Sequence, residues 1–201
     1  MKKQQIVMST KTIAYTAVMT ALVTVATMFL SIKTGESNTN LGDTMIFLSA
    51  MLFSPITSTI AGGLGSFLAD LLTWPATMWF TLVIKGLEGL ICGLICHFAK
   101  KIVKDNPKKV VIQYVLFFVG MIVAAAWMVF GYYIAKAFMY GTKESALVSL
   151  PKNCVQGSVS VALATVLYAV LYPVLKGIIK TAKKKAPKKQ ENSQEIEQEH
   201  E

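Results

Sequence analysis

The sequence predicts an all-α membrane protein with six transmembrane helices in one bundle, and three observations support this fold class. Hydrophobic residues make up 54% of the 201 residues, and the mean hydropathy is +0.52, well above the average of soluble domains. The apolar residues occur in long runs rather than in the stripes of soluble amphipathic helices. Lysine-rich segments flank several of these runs, as they do around membrane spans.

The expected helices follow from these apolar runs and from the polar or helix-breaking residues between them. The first run begins at Ile13 and continues beyond the length of a signal peptide, so we expect a first transmembrane helix and not a cleaved leader. The six helices are expected to cover residues 11–31, 41–53, 55–72, 76–101, 109–140 and 147–180.

The second and third helices are the unusual part of this pattern. Residues 41–53 would form a helix only about 20 Å long, short of the ~30 Å of a bilayer core, whereas residues 55–72 just reach across. Proline is favourable in the first turn of a helix, where its missing N–H would be unpaired anyway. Pro55 therefore predicts a sharp restart between two helices and not a kink within one.

The lysines predict the topology. All twenty basic residues are lysines, and fifteen of them cluster at three places: the start of the first helix, the junction of the fourth and fifth helices, and the end of the sixth helix with the residues after it. They are Lys2, Lys3 and Lys11; Lys100, Lys101, Lys104, Lys108 and Lys109; and Lys176, Lys180, Lys183, Lys184, Lys185, Lys188 and Lys189. An even number of spans puts these segments on one side, and the positive-inside rule makes that side the cytoplasm. The net charge of +9 is thus accounted for without a nucleic acid partner. Residues 1–180 are expected to form the transmembrane domain, and residues 181–201 a disordered, charged cytoplasmic tail.

Polar and aromatic side chains gather in the half of the membrane that this topology places outside. Such groups are costly in lipid unless they face a bundle interior or a water-filled cavity, so they predict a shared pocket that opens outward. The alternative is an interfacial belt, in which Trp and Tyr collect anyway. Asn153 and Gln156 favour the pocket, because they are three residues apart on one helix face and are not typical of belts.

Lys85 and Glu88 form a second polar pair, near the middle of the fourth helix. They are three residues apart, so they share a face and can neutralise each other. They would either contact a ligand or form a structural ion pair that fixes this helix against its neighbours. The depth of the pair in the membrane favours the structural role.

The first helix carries small residues on one face, namely Ala14, Ala17 and Ala21. Small residues at four-residue spacing allow helix backbones to approach closely in lipid, where packing drives association. The face would serve either a partner protein or packing inside the bundle.

The sequence offers little for catalysis or metal binding. Cys92, Cys96 and His97 lie close together in one helix, but a metal site needs three or four convergent ligands, so buried inert thiols are favoured. Motifs of hydrolases, zinc proteases and phosphate-binding loops are absent from the sequence. We therefore expect neither an enzyme nor a bound cofactor or metal.

Several stretches, in this order along the chain, resemble the S components of energy-coupling factor (ECF) vitamin transporters. They are TKTIAYTAVMTAL, NLGDTMIFLSAMLFSP, IAGGLGSFLADLL, LVIKGLEGLICG and PKNCVQG. The likeness extends over about residues 10–175, and the NLGD and KGLEG stretches are most similar to the branch for riboflavin, pyridoxine and hydroxymethylpyrimidine. One departure is the run Thr57-Ser58-Thr59, where small apolar residues would be expected.

The resemblance implies a multi-pass subunit of the bacterial cytoplasmic membrane that binds a vitamin at its outer side and has no ATPase of its own. Residues 33–40 would form a lid over the ligand. Ala14, Ala17 and Ala21 would dock on a transmembrane coupling subunit, which works with two ATP-binding-cassette ATPases. The last three helices would supply most of the ligand contacts.

These arguments together give a set of expected ligand contacts and a favoured ligand class. The class is a small aromatic vitamin or precursor, with pyridoxine or hydroxymethylpyrimidine favoured and riboflavin next. A stand-alone secondary transporter is the alternative, although the two halves of the chain show no evident internal repeat. The expected contacts are Asn40, Asp43, Trp79, Lys85, Glu88, Tyr132, Tyr133, Asn153 and Gln156.

Overall fold

The computed structural model describes residues 9–34, 37–141 and 143–198. It contains six α-helices and one antiparallel β-hairpin within these residues. The elements are α1 (Thr10–Phe29), β1 (Ser31–Thr34), β2 (Ser37–Asn40), α2 (Gly42–Leu52), α3 (Pro55–Thr73), α4 (Met78–Asp105), α5 (Val110–Tyr140) and α6 (Lys143–Gln198), with single 3₁₀ turns at Pro75–Thr77 and Pro107–Lys109.

The predicted all-α membrane class is confirmed. Five segments of the described chain are long and apolar enough to cross a bilayer: Thr10–Phe29, Pro55–Thr73, Pro75–Lys104, Val110–Tyr140 and Ala146–Gly177. The helix α2 has 11 residues, so it is about 16 Å long and shorter than a bilayer core. That all six helices are spans, and that both termini are cytoplasmic, stays a prediction.

The segment between α1 and α2 is more ordered than the sequence suggests. Its two strands pair from Ser31 with Asn40 to Thr34 with Ser37. Each strand has only four residues, most of them polar, so the alternation of apolar and polar residues that identifies a strand in a sequence is absent. Residues 35 and 36 of the predicted lid lie outside the described residues.

The break between α2 and α3 confirms the predicted restart at Pro55. Ser54 is the N-cap of α3, its hydroxyl oxygen accepts a hydrogen bond from the Thr57 backbone N–H at 3.3 Å, and Pro55 occupies the first turn. The end of α2 has a partner that the sequence did not indicate. The Nζ atom of Lys100 donates hydrogen bonds to the carbonyl oxygens of Ala50 at 3.1 Å and Phe53 at 2.7 Å, which satisfies carbonyl groups left open at a helix end.

The helix α3 is packed closely against α4, and its small residues make this possible. A Cβ atom on Gly62 would lie 2.6 Å from the backbone oxygen of Lys85, and one on Gly89 would lie 2.2 Å from the backbone oxygen of Ser58. The Ser58 hydroxyl donates to the Gly89 carbonyl oxygen at 2.8 Å. Gly65 makes the same kind of close approach to α1, where the backbone oxygen of Thr20 is 2.8 Å from an added Cβ. These glycines therefore let α3 pack closely against both α4 and α1.

The departure at Thr57-Ser58-Thr59 also has a structural reason. Thr57 and Ser58 are buried, and the Thr16 hydroxyl of α1 donates to the Thr57 hydroxyl at 3.2 Å. Each buried hydroxyl has a partner on a neighbouring helix, so these polar residues join α3 to α1 and α4.

The change Gly89→Ala is expected to destabilise the protein by about 1–3 kcal/mol, because the new Cβ meets the backbone of α3 and the helices must separate. Gly86→Ala on the same helix is the matched control, since its Cβ would lie 3.7 Å from the nearest atom, an ordinary contact. Thermal midpoints of the detergent-purified variants measure the difference. Equal midpoints for the two variants would show that this close approach is not a constraint.

The last helix does not end where the sequence predicts. The helix α6 continues to Gln198, so the predicted helix end at residue 180 is wrong. The physical reason is that Lys, Ala, Gln and Glu, which dominate residues 181–198, are good helix formers even without apolar packing. That residues 181–201 form a charged cytoplasmic tail outside the transmembrane domain stays a prediction. Residues 199–201 of the predicted tail lie outside the described residues. The chain divides into two compact units, Met1–Thr165 and Val166–Glu201.

Candidate functional site

A cluster of charged side chains lies buried where α2 meets α4. Asp43, Lys85 and Glu88 are 0%, 3% and 0% exposed. The Nζ atom of Lys85 forms ion pairs with Asp43 Oδ1 and with Glu88 Oε2, the latter at 2.9 Å. The predicted pairing of Lys85 with Glu88 is confirmed, and Asp43 is an additional partner from another helix.

This cluster has one positive group between two carboxylates. Buried charges are tolerated only when they are paired and hydrogen-bonded. Both oxygens of Asp43 have partners, one in Lys85 and one in Gln156. Oxygen Oε1 of Glu88, in contrast, is buried without a hydrogen-bond partner among the described residues. The cluster therefore retains one open acceptor in its interior.

Gln156 of α6 connects this cluster to the β-hairpin. Its Nε2 atom donates to Asp43 Oδ2 at 2.9 Å, and its Oε1 atom accepts from the backbone N–H of Asn40 at 3.0 Å. Asn40 in turn satisfies the first free N–H group of α2, because its Oδ1 atom accepts from the Gly42 N–H at 2.9 Å. The side-chain amide of Gln156 therefore joins α6, α2 and the end of β2 in one hydrogen-bonded network.

Tyr132 of α5 contacts the same cluster from another side. Its ring centroid lies 5.5 Å from the Lys85 Nζ atom, within the range of a cation–π interaction. Its hydroxyl lies 3.0 Å from the Thr81 hydroxyl, which donates to Asp70 Oδ2 at 2.6 Å. The Thr77 hydroxyl donates to the same carboxylate oxygen at 2.9 Å. Four helices, α2, α4, α5 and α6, thus contribute to one polar site, and Asp70 at the end of α3 supports it.

Asn153 of α6 is a buried residue with an open donor. It is 7% exposed and lies one turn before Gln156, on the same helix face. Its Nδ2 atom is buried without a hydrogen-bond partner among the described residues. Leaving a buried donor unpaired is costly, so Asn153 is suited to bind a group that the chain itself does not supply.

Two other aromatic residues predicted for the site, Trp79 and Tyr133, are placed differently from Tyr132. Trp79 is 63% exposed and packs against Phe67 of α3, with ring centroids 5.1 Å apart. The structure therefore does not bring Trp79 to the cluster. Tyr133 follows Tyr132 directly, so it points about 100° away around α5, and it is half-buried.

The sequence analysis missed Thr81 and Thr77 as parts of the site. Thr81 is 1% exposed, and it lies four residues before Lys85 on the face of α4 that carries the charged pair. That spacing is the signal that could have identified it. Thr77 precedes α4 and carried no such signal.

The alanine face of α1 is available for a partner. Ala14, Ala17 and Ala21 are exposed, whereas α1 packs inside the bundle through a different set of residues. The face forms one wall of an apolar groove of about 670 Å³, whose other wall is on α3. The interpretation that these alanines pack inside the bundle is therefore wrong. The groove is lined by Ile13, Thr16, Ala17, Thr20, Ala21, Thr24, Val25, Ile60, Leu64 and Leu68.

The two cysteines of α4 do not form part of a metal site among the described residues. Cys92 and Cys96 are fully buried, with their Sγ atoms 3.9 Å apart. The described residues contain no group of three or more potential metal ligands. This is consistent with the interpretation of these cysteines as buried thiols.

Comparison with known proteins gives one family and one fold. The family model for the S component of ECF-type riboflavin transporters matches residues 7–173. A solved structure of the S component of a bacterial ECF transporter is similar with a TM-score of 0.58 and 19% identity, covering 83% of this chain and 98% of that chain. At this identity the likeness shows a shared fold.

Relatives among curated proteins are similar over part of the chain. An uncharacterized protein of Pyrococcus woesei is 37% identical over 121 residues, which are 59% of this chain and 74% of that protein. UPF0397 proteins of Exiguobacterium sp. and Enterococcus faecalis are 31% and 33% identical over 52% and 43% of this chain. The chain spans 63% and 48% of the length of these two relatives.

Proposed function

Because the chain belongs to the ECF-type riboflavin transporter S component family, we propose that its buried polar site captures one small aromatic vitamin or vitamin precursor. The family makes the chain a membrane-embedded, substrate-binding subunit for vitamin uptake. Riboflavin, pyridoxine and hydroxymethylpyrimidine are the candidate ligands, and the family's description favours riboflavin more than the sequence alone did.

The open hydrogen-bonding atoms are the observation that carries this proposal. Within the part of the chain that the structure describes, Asn153 Nδ2 is an unpaired donor and Glu88 Oε1 is an unpaired acceptor, and both are buried. Tyr132 of α5 adds an aromatic ring beside Lys85 of α4 that can stack on a flat heterocycle. A vitamin ring with polar substituents offers the complementary donors, acceptors and flat surface.

We assign the charged pair mainly a structural role in this site. Lys85 joins α2 to α4 through Asp43, and the pairing with Glu88 keeps the lysine neutralised inside the bundle. Asp43 and Gln156 then set the position of the hairpin, because Gln156 holds both the carboxylate and the Asn40 N–H. In this arrangement residues 33–40 act as the lid, and the Asn40 to Gln156 hydrogen bond closes it.

Delivery of the vitamin would depend on a partner that binds the exposed alanine face. The groove between α1 and α3 has small residues on one wall, which suits a transmembrane helix of a coupling subunit. That subunit would act with two ATP-binding-cassette ATPases in the bacterial cytoplasmic membrane. The lysine distribution supports a topology with both termini in the cytoplasm.

The double change Asn153→Ala with Gln156→Ala is expected to weaken vitamin binding about 10- to 100-fold. It removes the open donor and the amide that links the lid to Asp43, and each lost hydrogen bond contributes about 1 kcal/mol or more. Isothermal titration of the purified protein with the three candidates measures the change. Gln113→Ala, at the opposite end of α5 from Tyr132, is the control and should bind as the wild type does. Unchanged affinity in the double variant would refute the site assignment.

A further inference from the structure

Asp70, Thr81 and Tyr132 are linked by two hydrogen bonds across three helices, and the donor of each bond can be identified. Asp70 lies in the last turn of α3, Thr81 in the first turns of α4, and Tyr132 in the second half of α5. Thr81 is fully buried, with its hydroxyl 2.6 Å from Asp70 Oδ2 and 3.0 Å from the Tyr132 hydroxyl.

The Asp70 carboxylate determines which group donates in each of these two hydrogen bonds. An ionised carboxylate only accepts hydrogen bonds, so the Thr81 hydroxyl must donate to Asp70, and the short distance is typical of a bond to a charged acceptor. A hydroxyl has one hydrogen. The hydrogen between Thr81 and Tyr132 must therefore come from the tyrosine.

The consequence is that the Tyr132 oxygen has no hydrogen left to give. Its remaining capacity is that of an acceptor. The ring is held at the same time by the Lys85 Nζ atom, 5.5 Å from its centroid, and by packing against the cluster of Ile84, Met128 and Ala135. Both the orientation of the ring and the polarity of its hydroxyl are set before any ligand arrives.

We infer that Asp70 and Thr81 are positioning residues for the ligand: they commit the Tyr132 hydroxyl to act as an acceptor, so that the ligand meets it with an N–H or O–H group. This inference rests on the proposed function, because it takes Tyr132 to be part of the ligand site. It assigns specificity to two residues that do not themselves touch the ligand. A ligand that presents only acceptors at this position is disfavoured, since two acceptors would face each other without a hydrogen.

Thr81→Val is the decisive variant, because valine has nearly the same shape and no hydroxyl. Without the threonine oxygen, the Tyr132 hydroxyl is free to rotate and to donate elsewhere. The expected result is about a tenfold loss of affinity for whichever of riboflavin, pyridoxine and hydroxymethylpyrimidine binds the wild type most tightly. Thr81→Ser keeps the hydroxyl and should bind within about threefold of the wild type. If Thr81→Val does not fold, Thr81→Ala takes its place with the same expectation.

Thr73→Val is the matched control. The Thr73 hydroxyl lies one turn after Asp70 at the end of α3 and donates to the backbone oxygen of Ala69 at 2.8 Å, so it is part of neither the bond to Asp70 nor the contact with Tyr132. A general effect of removing a hydroxyl near Asp70 would appear in both variants, whereas the inferred role predicts an effect on affinity only for Thr81→Val.

A double-variant cycle tests whether Thr81 acts on the ligand through Tyr132. Tyr132→Phe should also lose affinity, because it removes the acceptor oxygen itself. Adding Thr81→Val to it should cause no further loss, because the threonine acts only by orienting that oxygen. If the losses of binding free energy in Thr81→Val and Tyr132→Phe add up in the double variant, the inference is wrong. It is also wrong if Thr81→Val binds as tightly as the wild type while the Asn153→Ala, Gln156→Ala variant still binds poorly. If the wild type binds none of the three compounds, the proposed function fails and the inference fails with it.

Discussion

The change Lys85→Met is expected to lower the thermal midpoint of the detergent-purified protein by about 10 °C. Lys85 is the only positive group that contacts Asp43 and Glu88 among the described residues. Methionine has a similar length but no charge, so the change leaves two carboxylates facing each other in a dry interior. Breaking a buried ion pair in this way costs about 3–5 kcal/mol.

The matched control for this change is Lys100→Met on the same helix. Lys100 donates to two backbone carbonyl oxygens and not to a carboxylate, so its loss leaves no buried charge unpaired and should lower the midpoint much less. The triple variant Lys85→Met, Asp43→Asn, Glu88→Gln removes all three charges and should regain most of the lost stability. A midpoint within about 2 °C of the wild type for Lys85→Met alone would mean that the ion pairs are not structural.

Replacing Ala17 and Ala21 by phenylalanine is expected to abolish vitamin uptake into cells and to leave vitamin binding unchanged. Both alanines are exposed and line the groove between α1 and α3, so two bulky rings would fill the surface proposed for the coupling subunit. The proposed ligand site is built from other helices and does not include these residues. Uptake of the labelled vitamin in cells, and titration of the purified variant, measure the two effects separately.

Val18→Phe is the control for this prediction. Val18 is 58% exposed on the same helix, and it is not one of the residues that line the groove. Its replacement should change neither uptake nor binding. Normal uptake by the double alanine variant would place the partner elsewhere, whereas loss of binding would show that the face supports the ligand site.

The sequence predicts those parts of the fold that depend on residues close together in the chain. Apolar runs identified the helices, and Pro55 identified the start of α3, because the preference of proline for a first helical turn is a local property of the chain. The predicted end of α6 was wrong, since polar helix formers continue a helix without any apolar pattern. The β-hairpin was missed because its strands are short and polar.

The site could be predicted only in part for a related reason. Helical spacing was sufficient to pair Lys85 with Glu88, which are three residues apart. Asp43 lies 42 residues before Lys85, and Gln156 lies 113 residues after Asp43. Which helix faces meet across such distances depends on packing between helices, and periodicity within one helix does not encode it.

Trp79 illustrates the limit of composition as a guide to function. Tryptophan is common both in ligand sites and at membrane interfaces, and its place near the start of α4 fits either role. The contact with Phe67 and the large exposed fraction of Trp79 show only that it lies outside the buried cluster.

The most direct test of the account is the binding of vitamins to the purified full chain. Small molecules retained by the protein would be extracted and identified by mass spectrometry, and riboflavin, pyridoxine and hydroxymethylpyrimidine would then be titrated into ligand-free protein. The account predicts that one of the three binds at one molecule per chain, and that Asn153→Ala with Gln156→Ala greatly weakens this binding. If no vitamin is retained and none of the three binds, the buried polar cluster is a structural network alone and the proposed capture of a vitamin at this site is wrong.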